Sequence, residues 1–338
     1  MTEPPIRVLM ITSEWPTPEN PFLVPFLVQQ VEFLRRAGVE VEIFFFRGAK
    51  NPLNYFLAWR RFNREYGDRR DRFDLVHAQF GQAALIPWPK RLPLVITFHG
   101  TDILGELSPD GRRTLRGRLL QWLGKRAAHF ADAVLIVSNE MRKHLAPVEP
   151  SDILPTGVDL DSLPGLTRND ARRQLGLAVD ERLALFVGSP DNSLKRYALA
   201  QQAVEMLNHT LPTRLILGCG RPHREIIIMM YACDVLVVTS QTEGSPTIVK
   251  EALACDLPIV SVIVGDVVER VNGVEGCEIV ADDRPESIAA ALERTLRRGS
   301  RLTSRKAIEQ LDEKVLAHKL IGIYRSILAS AELGSAKD

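Results

Sequence analysis

Residues 239–255 read Thr-Ser-Gln-Thr-Glu-Gly-Ser-Pro-Thr-Ile-Val-Lys-Glu-Ala-Leu-Ala-Cys. The run begins as the end of an apolar strand and passes through a loop holding Glu243, Gly244 and Ser245. It continues as a helix from Pro246 that carries Glu251. The first turn of a helix has backbone N–H groups without intrahelical partners, and with the helix dipole they form a site for an anion. Ser245, Pro246 and Thr247 would line that site. Gly244 has no side chain and lets a ligand come close to the backbone. Ionised Glu243 and Glu251 only accept hydrogen bonds, which suits a ligand rich in hydroxyls. Lys195, with Arg196 beside it, follows an apolar run at 183–187 and the loop opened by Gly188. A cation there could neutralise a phosphate, above all one on which charge grows during a reaction. His99 stands at the end of the run 94–98, before Gly100. Its neutral imidazole could give one hydrogen bond and accept another. Asp102 stands where it could cap the helix that follows.

These groups need a scaffold that brings loop ends together. Short apolar, β-branched runs recur at 6–12, 39–46, 74–78, 94–98, 133–137 and 152–155, then at 183–187, 213–217, 234–239, 258–264 and 277–280. Runs this apolar predict strands buried on both faces, hence parallel sheets covered by helices. Periodic segments between them predict an α/β fold built of βαβ units. One predicted helix, 26–37, puts Val28, Val31 and Leu34 on one face and stops at Gly38. Another, 246–254, begins with Pro246 in its first turn. Residues 307–331 read as one or two closing helices. The turn-rich stretch 156–168 is the expected boundary between two α/β domains with a cleft between them. Ligands of open α/β sheets bind at the carboxyl ends of the strands, where all these motifs fall.

The string 239–255 resembles the paired-glutamate motif of the retaining GT-B glycosyltransferases of the glycogen-synthase and mannosyltransferase type, glycosyltransferase family 4. Residues 258–269, 97–102, 155–159 and 186–196 are similar to that family too, so the likeness spans about residues 6–330. It is most specific over 231–270. The resemblance implies a GT-B fold: two Rossmann-like parallel-sheet domains facing a cleft. A first domain over 1–157 would sit on the acceptor side. A second over 158–310 would bind the nucleotide-sugar, and helices over 311–338 could cross back to the first.

The resemblance also implies roles. Lys195 and Glu243 would act in catalysis with His99, which would lie near the donor sugar and the breaking bond. Gly188, Arg196, Gly244, Ser245, Pro246, Thr247 and Glu251 would bind the donor, Glu251 through its ribose. The acceptor, a glycan, a lipid-linked molecule or a small molecule, would attack from the leaving-group side, so the anomeric configuration is retained. No cofactor is implied, since the nucleotide-sugar is a substrate, and no motif demands a metal. Three departures bear on this reading. Ser189 stands where the family has an arginine. The loop 14–25 lacks the family's paired glycines. The stretch 217–234 is short, so the second sheet could lack one βα unit close to the nucleotide base.

The bulk composition fits a soluble globular protein of two domains. Lys and Arg number 43 and Asp and Glu 42, a net charge of +1, which argues against a dedicated nucleic-acid binder. Residues 1–150 hold 21 cations and 16 acids, so the first half is the basic one. Cys219, Cys233, Cys255 and Cys277 form no CxxC pair and are expected as buried free thiols. The run 6–12 is too short for the apolar part of a signal peptide, and no stretch is long enough to span a membrane. A cytoplasmic protein is expected, able to lie on the inner face of a membrane. Two basic segments with aromatics, 54–64 and 112–126, are candidates for that contact. The simpler expectation is that Tyr55, Phe56, Trp59 and Phe62, and Leu115, Leu119, Trp122 and Leu123, pack on the first sheet. Two alternatives remain: a nucleotide-sugar-binding protein of polysaccharide assembly that has lost catalysis, and a nucleotide-sugar epimerase. An NAD-dependent oxidoreductase is disfavoured, because no strand is followed by GxGxxG.

Overall fold

The computed structural model describes residues 4–48, 51–68, 70–105, 108, 112 and 114–335. Arg113 of the basic segment 112–126 and the last three residues of the segment 311–338 lie outside the described residues. The chain forms two compact units, one of residues 1–156 with 313–338, the other of residues 157–312.

The first unit contains β1 (Arg7–Thr12), α1 (Pro25–Arg36), β2 (Glu40–Phe45), α2 (Pro52–Tyr66), β3 (Leu75–Gln79), β4 (Leu94–Phe98) and α3 (Thr101–Leu104). It continues with α4 (Leu115–Ala128), β5 (Ala133–Ile136), α5 (Arg142–Leu145) and β6 (Asp152–Ile153). Its six strands are all parallel, in the order β2-β1-β3-β4-β5-β6. Side chains alternate across the sheet. On β1, Val8 and Met10 enter one core with Leu27, Val31 and Leu34 of α1, while Leu9 and Ile11 enter another with Phe62 of α2. The helix α12 (Glu313–Ser335) closes the first of these cores with Leu316, Ala317, Leu320 and Tyr324. Full burial of each valine, leucine, isoleucine, phenylalanine or methionine among them contributes about 1.5–3 kcal/mol.

In the second unit α6 (Arg168–Leu175), β7 (Leu183–Val187), α7 (Tyr197–Leu207), β8 (Arg214–Gly218) and α8 (His223–Ala232) come first. β9 (Val235–Val238), α9 (Thr247–Ala254), β10 (Ile259–Val262), α10 (Val267–Val271), β11 (Glu278–Val280) and α11 (Pro285–Arg298) follow. The parallel order is β11-β10-β9-β7-β8. The short stretch after β8 leads straight into α8, so this sheet has five strands where the first has six.

All eleven predicted strands are present within one or two residues at most ends. Three expectations need correction. Pro246 is the residue that flanks α9, with ψ at 115° outside the helical range, rather than part of its first turn. Val28 is only half-buried on α1, whose core face is Leu27, Val31, Phe33 and Leu34. Cys219 is exposed, whereas Cys233 and Cys255 are buried, because it sits in the loop after β8 rather than in a strand or helix.

Candidate active site

In each sheet the strand order reverses once, between β1 and β3 and between β7 and β9. The loops that leave neighbouring strands at such a point diverge and open a crevice for ligands. In the second unit the motifs at 188–196 and 239–247 lie on these loops, and in the first His99 follows β4, the neighbour of β3.

In the second unit the loops after β7 and β9 are tied to one another. Gln241 N donates to Leu194 O at 2.8 Å, and Thr239 Oγ1 donates to the carbonyls of Lys195 and Arg196 at 2.9 and 3.0 Å. This lacing brings Lys195 Nζ to 2.6 Å from Glu243 Oε1, joining the two expected catalytic groups of this unit. Gly188 makes room for that lysine. A Cβ on Gly188 would stand 3.3 Å from Lys195 Cγ, and its φ of 147° is one that L side chains rarely adopt.

Arg196 is held within its own unit. Its guanidinium donates to Thr239 O at 2.5 Å and Ser240 O at 3.3 Å, and pairs with Asp283 at 2.6 Å. It fastens the end of β9. The Ser245 hydroxyl also turns inward. It donates to Asp266 Oδ2 at 2.7 Å and accepts from the buried ammonium of Lys250 at 2.7 Å, and Arg270 pairs with the same aspartate at 2.8 Å. This buried network fixes the loop that enters α9, so the loop's backbone is what Ser245 offers a ligand. Gly244 and Pro246 are buried beside it, and Thr247 opens the helix.

Glu251 is buried one face further along α9, and its Oε1 lies 2.6 Å from His223 Nε2. Sequence reasoning missed His223. The signal for it was the short stretch after β8, which delivers the start of α8 directly to α9. The hydrogen bond to Glu251 raises the His223 pKa, against the opposing effect of burial. The sign follows: a histidine held above its ordinary value stabilises the fold fully at low pH, and that contribution is lost as pH rises through the raised pKa. In Glu251→Gln the His223 pKa should fall back toward about 6.5, which an imidazole NMR titration reads directly.

In the first unit His99 Nε2 lies 2.7 Å from Gln79 Oε1, and the ring sits between Phe26 and Phe80 at 5.1 and 4.9 Å. Gln79 is fully buried and was not singled out in the sequence. Its amide nitrogen donates to Gln30 Oε1 at 3.1 Å and faces Met10 Sδ and His77 Nε2. The carbonyl end is thus left for His99, so His99 must carry its proton on Nε2. Behind Gln79 the buried His77 bonds Tyr324 of α12 at 2.6 Å and Thr97 at 2.7 Å. Burial holds its pKa down to about 3, with the neighbouring His99 adding to the shift, so it stays neutral. Nitrogen chemical shifts should show His99 as the Nε2–H tautomer, and Gln79→Leu should lose that preference.

Asp102 does not sit at the position before a helix. It lies inside the short α3 and accepts from the backbone N–H groups of Gly100 at 2.8 Å, His99 at 3.2 Å and Gly81 at 3.1 Å. It ties the His99 turn to the loop after β3. Burial raises its pKa despite those donors, and burial with the charge of Asp102 raises that of Glu14. The glycine-free loop 14–25 reaches α1 through Val24 at φ 43°, an uncommon conformation for a β-branched residue. Among the described residues no three His, Cys, Asp or Glu side chains gather to hold a metal, and no helix is long and apolar enough to cross a membrane.

Two α/β units with parallel sheets of six and five strands match the architecture of the GT-B glycosyltransferases. Residues 5–162 match the family described as Glycosyltransferase Family 4, and residues 182–298 match Glycosyl transferases group 1. The chain thus carries the domains of two glycosyltransferase models, one in each unit. TuaC of Bacillus subtilis, assigned to teichuronic acid biosynthesis as a glycosyltransferase, is 29% identical over 70% of this chain. The chain spans 66% of that relative's length, just under two thirds. Sucrose-phosphate synthase of Thermosynechococcus elongatus shares the fold with a TM-score of 0.70 at 18% identity, covering 96% of this chain and 100% of that one. So does HepE of Anabaena in complex with UDP and glucose, with a TM-score of 0.62 at 17% identity over 97% of this chain and 99% of that one.

Proposed function

We propose that the chain transfers a hexosyl group from a nucleotide-diphosphate sugar to a glycan or lipid-linked acceptor, with retention of configuration. The observation that carries this is the Lys195–Glu243 pair at 2.6 Å, at the mouth of α9 and beside Gly188. A diphosphate placed on the α9 N-terminus would meet Lys195, and Glu243 would be released to accept from the sugar hydroxyls. Glu251, held on one oxygen by His223, would take the ribose. In the reaction the bond from the anomeric carbon to the diphosphate oxygen breaks. The acceptor oxygen forms the new bond on the same face, and its proton passes to the departing phosphate. The charge that grows on that phosphate falls to Lys195 and the helix dipole. His99 enters through the family resemblance, near the donor sugar. The relatives lend support: one is assigned to sugar-polymer biosynthesis and one was solved with UDP and glucose.

Calorimetric titration with UDP, GDP and ADP tests the donor half. One nucleotide should bind clearly, and more weakly to Lys195→Ala and to Glu251→Ala. No binding by any of the three to the folded protein would overturn it. A second reading has its own observation. Ser189 stands where the family has an arginine, and Arg196, the other expected phosphate cation, is engaged by Thr239, Ser240 and Asp283. A protein that binds a nucleotide-sugar without transferring it would look like this. Sugar transfer by the purified chain would exclude that reading, and conversion of donor without acceptor would point to an epimerase.

A further inference from the structure

The basic helix α4 does not pack as its sequence led one to expect. Its buried residues are the small ones, Gly117, Gly124, Ala127 and Ala128. A Cβ on Gly124 would stand 2.9 Å from the Asp102 carbonyl oxygen and 3.1 Å from the Phe98 ring, so the helix sits too close for any larger residue there. Its large residues are therefore forced to the other side. Leu115 is 84%, Leu119 53% and Trp122 56% exposed, while Leu123 is half-buried. Exposed Arg118 and Arg126 fall on the same stripe, at helical spacing from Leu115. No acidic residue occurs from 114 to 130.

Helix α2 repeats the pattern. Phe62 and Ala58 go into the core, and Tyr55 packs against it. Leu53, Phe56 and Leu57 face outward on one stripe with Arg60 and Arg64. Exposed rings link α2 to the end of α4: Trp59 Nε1 donates to Trp88 O at 2.9 Å, and the Trp88 ring meets Phe130, two residues past α4, at 5.2 Å.

We propose that this face of the first unit docks on an anionic lipid surface. A helix with leucines and tryptophan in line with arginines, and no acid, has the composition of one that lies in the headgroup layer. The rings and leucines enter the acyl boundary, and the guanidinium groups stay with the phosphates. A second copy of the chain fits less well, because a two-fold contact through α4 would set its arginines against their own equivalents. This face binds without donor or acceptor, so the inference goes beyond the transfer reading and can fail apart from it.

The test is sedimentation of the full chain with vesicles of phosphatidylcholine alone and of phosphatidylcholine with phosphatidylglycerol. Binding is expected only to the second, with a shift of tryptophan emission to the blue. It should drop about tenfold or more in Leu119→Ser/Trp122→Ser. It should fall similarly in Arg118→Glu/Arg126→Glu and in salt of about 0.5 M. These positions are exposed, and an unchanged thermal unfolding curve verifies that either variant is folded. Three outcomes would overturn the proposal: no binding to anionic vesicles, equal binding to both kinds, or a dimer in solution abolished by the same substitutions.

Discussion

Lys195→Ala should lower sugar transfer by about a hundredfold to a thousandfold, the usual loss when a group that stabilises developing charge is removed. Two physical effects add. The cation that would face the diphosphate is gone, and Glu243, 2.6 Å away in the wild type, is uncovered as an anion in the same place. Like charges so close repel, and little solvent is at hand to screen them. Nucleotide affinity should therefore fall too, by about tenfold or more, since hydrogen bonds to charged groups are worth about 1.5–3 kcal/mol. The double variant Lys195→Ala/Glu243→Gln separates the effects. It should bind nucleotide more tightly than Lys195→Ala alone, because the uncovered charge has been removed, and a double-mutant cycle by calorimetry would measure the difference. Wild-type affinity in Lys195→Ala would remove the lysine from the donor site.

Asp234→Ala should destabilise the second unit by about 3 kcal/mol or more, a large share of the about 5–15 kcal/mol that holds a domain together. Asp234 accepts from Arg172 at 2.9 Å, Arg168 at 2.7 Å and the backbone N–H of Leu183 at 2.8 Å. Arg172 is fully buried, and its guanidinium also donates to the carbonyls of Ala178, Val179, Glu181 and Ala232. Those carbonyls cannot neutralise it. Without Asp234 a buried cation keeps its hydrogen bonds and loses its counter-charge, which is the costly way to break such a pair. Urea unfolding should show the midpoint of the second unit moved down with little change of slope, whereas Lys195→Ala should leave it nearly in place. A midpoint unaffected in Asp234→Ala would mean that the carbonyls suffice.

What could be read in the sequence was whatever depends on local pattern. The strands at 94–98 and 183–187 match the observed β4 and β7 residue for residue, because a strand covered on both faces is apolar along nearly its whole length. Glu243, Gly244 and Glu251 could be singled out as candidates for a related reason: a strand, a loop and a helix start follow one another there. Hidden were the partners that come from distant segments. His223 reaches Glu251 from 28 residues away and Tyr324 reaches His77 from 247, and neither pairing leaves a periodic trace.

The chain by itself determined two α/β units and the placing of charged loops after their strands, since burial and turn chemistry act over a few residues. Tertiary structure alone decided what each side chain faces. Arg196 and Ser245, read as ligand contacts, bond within their own unit, to the end of β9 and to Asp266. Leu115, Leu119 and Trp122 looked like core and stand outside, because the close seat of α4 against Phe98 and Asp102 admits only glycine and alanine on its inner side. Packing distance between elements is a property of the whole fold, and it is what turned an apolar helical stripe outward.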